Sequence, residues 1–171
     1  MDTVFEILES LDAALVAESA QREKDGVPGL SRACIQILGQ MSLVLNPDVA
    51  KRLELFATQD VDAVIRGDWI VTRLFKAALE AQNLQFDFHS TDIWLPPDAK
   101  YIPIFSGQMI DCEILDPVSA LTSKAIKAPD KNHLLIGEAL KVYGEELAEK
   151  IRTHGGDPAR FKLKLTRRLR Q

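Results

Sequence analysis

A mixed α/β fold with a helical C-terminal third follows from three features of this 171-residue sequence. Apolar residues at helical spacing open the chain, and short β-leaning runs punctuated by Gly and Pro fill its middle. After Asp116-Pro117 nearly every stretch reads as helix. The length fits one domain, with an α/β core over residues 1–116 and a helical C-terminal subdomain over 117–171. A chain of this size buries roughly 70 % of its unfolded surface and needs no disulfide staples.

The first helix is expected from Thr3 to Lys24, where Val4, Ile7, Leu8, Leu11, Leu15 and Val16 share a stripe and Thr3 with Glu6 forms a capping box. Asp25-Gly26-Val27-Pro28-Gly29 breaks it. Ala33 to Leu38 reads as a strand that stops at Gly39, and Met41 to Leu45 as a brief helix ended by Asn46-Pro47. Phe56 to Ile65 alternates as a strand. Gly67-Asp68 then precedes a helix over Trp69 to Ala81, with Trp69, Ile70, Leu74, Phe75 and Ala78 in its stripe. Leu84 to Phe88 is a further strand, and Pro96-Pro97-Asp98 a loop. Tyr101–Phe105 and Met109–Leu115 form a hairpin through Ser106-Gly107. Helices are expected over 117–128, 130–143, 145–153 and from Pro158 onward, with Asp116 or Asp130 as an N-cap and Pro117 in a first turn.

Composition narrows the function classes. An apolar share of 46 % and a charged share of 27 % are ordinary for a globular chain. A net charge of −4 argues against coating nucleic acid with the whole surface, while leaving room for a basic groove. Cys34 and Cys112 lack CxxC spacing and lie in apolar runs, so they read as small hydrophobes rather than zinc ligands. The acidic opening Met-Asp-Thr-Val-Phe-Glu has no signal-peptide character, and no apolar run approaches the ~18 residues of a membrane span. A cytoplasmic location and no membrane partner are therefore expected.

The chemistry-bearing stretch is Thr58-Gln59-Asp60-Val61-Asp62. Side chains alternate along a strand, so Thr58, Asp60 and Asp62 are expected on one face. Two carboxylates side by side repel each other unless a cation holds them. Mg²⁺ suits them, because it binds through one or two carboxylates plus substrate phosphates. Two solvated aspartates on an edge strand are the alternative. Asp111 and Glu113 also share a face, opposite Ile110, Cys112 and Ile114. Were their strand to lie beside that of Asp60, three carboxylates would meet and provide for a two-metal site.

Gly39-Gln40 followed by Thr58-Gln59-Asp60-Val61-Asp62 resembles the "G-[GS] … T-x-D-x-D" signature of the DNA polymerase beta-type nucleotidyltransferase superfamily. Asp116-Pro117-Val118-Ser119-Ala120-Leu121-Thr122-Ser123-Lys124 is similar to a "D-P-x-x-L-x-x-x-K" segment of its abortive-infection, toxin-like bacterial members. The likeness runs from about Ala33 to Leu140. It implies a mixed-sheet nucleotidyltransferase-like core that transfers a nucleotidyl group from a nucleoside triphosphate to a hydroxyl acceptor, RNA or protein. It further implies an antitoxin partner if the protein is the toxin-like half of such a pair. By position, Gly39 and Gln40 would lie against the triphosphate together with Thr58, and Asp60 and Asp62 would bind Mg²⁺. Asp111 would be the third carboxylate, with Glu113 as the competing assignment, and Lys124 would face the phosphates. Gln40 stands where the pattern has a second small residue, residues 47–55 form an insertion, and Lys131-Asn132 replaces a basic residue followed by Asp. These departures define a second reading, a catalytically silent binding module of the same fold that engages a partner protein or nucleotide.

Lys124, Lys127 and Lys131 read either as a phosphate-facing cluster or as a solvated helix face. The tail from Arg160 to Arg170 carries six basic residues and no acid, with Phe161, Leu165 and Leu169 at i, i+4 spacing. It reads as an amphipathic helix offering a basic strip to RNA, or as a plain surface terminus.

Overall fold

The structure, a computed structural model, describes residues 2–87 and 92–161. Its order is α1 (Asp2–Lys24), β1 (Ala33–Ile37), α2 (Gly39–Val44), α3 (Pro47–Arg52), β2 (Asp60–Arg66), α4 (Trp69–Ala81), β3 (Gln85–Asp87), β4 (Tyr101–Ser106), β5 (Ile110–Leu115), α5 (Pro117–Lys127) and α6 (His133–Thr153). The expected mixed α/β class is what the chain adopts. The expected helix from Pro158 onward falls mostly outside the described residues.

The sheet runs β3-β2-β1-β5-β4. β1 is antiparallel to β2 and parallel to β5, β2 is parallel to β3, and β4 is antiparallel to β5. The parallel β2–β3 pair is joined across α4, as a parallel pair requires a crossover. One sheet face, with Ile35, Ile37, Val61, Ala63, Cys112 and Ile114, packs under α1 and α4. Phe75 and Leu79 of α4 and Leu8, Leu11 and Leu15 of α1 are almost fully buried there. The other face is covered at one end by a second core, where Leu115 and Val64 meet Leu121, Ile136 and Leu140 of the C-terminal helices. Two helical layers thus enclose one end of the sheet, and that enclosed end carries the site.

Several boundaries differ from the sequence reading for local reasons. α1 begins at Asp2, so Thr3 sits inside the helix rather than capping it. Asn46-Pro47 ends α2 but also starts α3, with the Asn46 side chain accepting from the Val49 N–H and Pro47 in the first turn. β2 starts at Asp60, and Phe56 is 87 % exposed, so the alternation before Asp60 belongs to a loop. Trp69 lies outside the α4 core stripe, 65 % exposed, with the Arg73 guanidinium 5.1 Å from its ring centroid. α5 starts as expected, the Asp116 carboxylate accepting from the Val118 and Ser119 N–H groups. α6 starts after Asn132 rather than at Asp130, and is broken at Gly144 (φ 56°, ψ −128°), the residue between the two helices expected there.

The β4–β5 turn is held by α1. Asp12 accepts hydrogen bonds from the backbone N–H groups of Gln108 (2.9 Å), Met109 (2.7 Å) and Ile110 (3.1 Å). Asp12→Ala leaves these donors without their carboxylate and is expected to cost about 2 kcal/mol, measurable by urea denaturation. Among the described residues no helix is long and apolar enough to cross a membrane.

Candidate functional site

At the enclosed end of the sheet, β1 finishes, β2 and β3 begin, and β5 runs into α5. Register brings Asp62 of β2 opposite Leu38, whose N–H donates to the Asp62 carbonyl at 2.8 Å. On its other side Asp62 pairs with Asp87 and Asp60 with Gln85. Period two places Asp60 and Asp62 on the same face, as the sequence predicted.

Gly39 follows directly. Its φ of +61° is one that glycine adopts without penalty, and a Cβ there would coincide with Asp62 Oδ2. The position expected to lie against a phosphate is therefore packed against a carboxylate.

Asp60, Asp62 and Asp87 line one cavity of about 390 Å³ together with Gln40, Thr58 and Lys124. Burial pushes the Asp62 carboxyl above the ordinary carboxylate range, and Asp87 beside it pushes further; Lys124 pulls it down, and Asp60 adds a smaller upward push. The side chains of Asp62 and Asp87 are in hydrogen-bond contact. Lys124 is itself drawn below its ordinary value by burial, which the attraction of Asp62 partly offsets. Thr58 precedes the strand, its hydroxyl accepting from the Asp60 N–H at 3.2 Å.

Asp111 and Glu113 do not join this group. They share the sheet face of Asp62, but β5 lies beyond β1, and Asp111 pairs with Cys34 near the far end of β1. Four residues along the strand and two strand spacings across put it roughly 13 Å away in one direction and 10 Å in the other. There it forms a bidentate pair with Arg32, Nε donating to Oδ2 at 2.7 Å, and accepts from the Ser106 hydroxyl at 2.7 Å. The Arg32 guanidinium, then Ser106, hold its carboxyl below the usual range. Glu113 accepts from the Gln36 amide. The third acid at the site is Asp87. Its signal in the sequence is an acid between Phe86 and Phe88 on a short strand.

The donor chemistry fits a divalent cation. Carboxylate oxygens are hard ligands, and the Asp62 carboxyl is raised first by burial and then by Asp87, with Lys124 only partly offsetting them. Among the described residues no three His, Cys, Asp or Glu side chains are gathered into a ready cage. Nucleotide-site Mg²⁺ does not need one, because phosphate oxygens and water complete its shell. Cys34 and Cys112 are free thiols; burial pushes Cys112 up to about 12, which leaves it an inert core residue. In comparisons with family models, with curated proteins and with solved structures, nothing matches this chain.

Proposed function

We propose that the protein is a Mg²⁺-dependent nucleotidyltransferase that moves a nucleotidyl group from a nucleoside triphosphate to a hydroxyl of RNA or protein. The observation that carries this reading is that Asp60, Asp62, Asp87 and Lys124 line one cavity at the end of the sheet. In such a site the cation would screen the phosphates and stabilise charge on the transferring group. Asp60 and Asp62 would hold it, and Gly39 keeps the Asp62 carboxylate in place by leaving room for it. Lys124 faces the same cavity as a fixed positive charge for phosphate oxygens. Asp87, touching Asp62, is the acid positioned to take the acceptor's hydroxyl proton on a carboxylate oxygen. As the toxin-like half of a pair, the protein would also meet an antitoxin.

Incubation with each labelled nucleoside triphosphate, Mg²⁺ and total RNA or total protein tests the reading. Wild type and Asp111→Ala should both incorporate label, and Asp60→Ala/Asp62→Ala should lose about 100-fold or more. No incorporation by wild type with any nucleotide would overturn it. One observation favours the second reading, a catalytically silent module. Gln40, a long side chain at a position where the resembling pattern is small, lines the cavity itself. That reading expects Mg²⁺-dependent nucleotide binding without transfer.

A further inference from the structure

A recess of about 190 Å³ shares Asp62, Lys124, Lys131 and Asn132 with the acidic cavity. Lys127 joins its lining, one turn after Lys124 on α5, with its ammonium 5.8 Å from the Trp94 ring centroid. Ile93, Leu95 and Leu115 form an apolar wall, which lowers the local dielectric and strengthens charge interactions inside. Three lysines thus line a recess whose one acidic lining residue is Asp62, and Asp62 already faces two other carboxylates. Among the described residues neither Lys127 nor Lys131 forms an ion pair.

The carbonyl end of α5 accounts for basic residues in its last turn. It does not account for Lys131, which lies on the connection to α6 and turns to the same recess. That connection is fixed by Asn132, whose amide donates to the Ala128 carbonyl at 2.9 Å and the Lys124 carbonyl at 3.4 Å. The site therefore has an acidic half and a basic half meeting at Asp62 and Lys124.

We propose that the basic half is a metal-independent polyphosphate subsite, in which Lys124, Lys127 and Lys131 hold the phosphates of a nucleoside triphosphate or of inorganic pyrophosphate. Its place in a reaction rests on the nucleotidyl-transfer reading. The acceptor oxygen forms a bond to the α-phosphorus as the bond to the β-phosphate's bridging oxygen breaks. Pyrophosphate leaves with that electron pair, and the hydroxyl proton passes to Asp87. The basic half receives the leaving pyrophosphate. Lysines serve here as point charges on flexible stems, suited to a group that arrives and departs.

Calorimetric titration of inorganic pyrophosphate into the full chain in EDTA tests the subsite without any metal. Wild type should bind, more weakly as salt rises. Lys127→Gln/Lys131→Gln, two exposed positions that leave the fold intact by circular dichroism, should weaken binding about tenfold or more. Asp60→Asn should bind at least as tightly as wild type, because it removes a repelling charge. No binding by wild type, or equal binding by the double lysine variant, would overturn the proposal. So would tighter binding of RNA than of pyrophosphate through the same lysines, since that makes the recess a nucleic-acid contact. Lysine-dependent pyrophosphate binding without label incorporation sinks nucleotidyl transfer alone, and incorporation without metal-free pyrophosphate binding sinks the subsite alone.

Discussion

Asp62→Asn should leave the protein more stable and unable to transfer a nucleotide. Asp62 is partly buried beside Asp87 and Asp60, and its carboxyl sits above the ordinary range. The folded state therefore binds its proton more tightly than the unfolded chain. That contribution favours the fold at low pH and is lost as pH rises from the unfolded value through the raised folded one. The isosteric amide has no charge to lose, so the variant should gain about 1 kcal/mol near neutral pH. The gain should shrink toward about pH 3, where Asp62 of the wild type is largely protonated in both its folded and its unfolded states. Urea denaturation at the two pH values measures this; equal stability at neutral pH would contradict the electrostatic account. The functional loss is larger. Wild type saturated with nucleotide and Mg²⁺ at about 100 times its Kd should gain about 2.7 kcal/mol, and the variant should gain almost none.

Gly39→Ala is expected to be the most destabilising single change at the site. A left-handed backbone costs a residue with a Cβ about 1–2 kcal/mol, and here that Cβ also collides with Asp62 Oδ2. A total of about 3–4 kcal/mol follows, with Tm falling about 2–4 °C for each kcal/mol at this chain length. In an Asp62→Ala background the collision disappears and only the backbone penalty of about 1–2 kcal/mol remains. A cost that is the same in both backgrounds would mean that Gly39 and Asp62 are not in contact.

The elements most legible in the sequence are those whose pattern is local. The α1 and α4 stripes, the Asp116-Pro117 start of α5 and the Gly144 break each depend on a few neighbouring residues. So does the shared face of Asp60 and Asp62, which follows from the period of a strand. Strand order is not local, and there the reading of Asp111 failed. Its face agrees with that of Asp62, but β1 separates the two strands and the register puts them at opposite ends. Arg32, one residue before β1, is the partner that claims Asp111, a pairing 79 residues apart that no local pattern encodes. Asp87 carries little local signal, because a three-residue strand gives too short a pattern to mark its acid as special. α3 was hidden because Asn46 and Pro47 serve equally well to stop one helix and to start the next.

The lysines show the same division. Their spacing announces a basic helix face, but only the fold shows Lys131 turning from the α5–α6 connection into the recess that Lys124 and Lys127 line. The apolar wall opposite them comes from Ile93 and Leu95, in the segment between β3 and β4. Ser123 ties that segment to α5 through its hydroxyl, which donates to the Trp94 carbonyl at 2.5 Å.

Anomalous diffraction from crystals grown with Mn²⁺ and a non-hydrolysable nucleoside triphosphate tests the assignment of the acidic pair most directly. A Mn²⁺ peak is expected at coordination distance, about 2.1 Å, from carboxylate oxygens of Asp60 or Asp62 and from the nucleotide's phosphates, with the polyphosphate extending toward Lys124. Nucleotide bound in this cavity with no metal peak at either aspartate, or bound elsewhere on the protein, would contradict it.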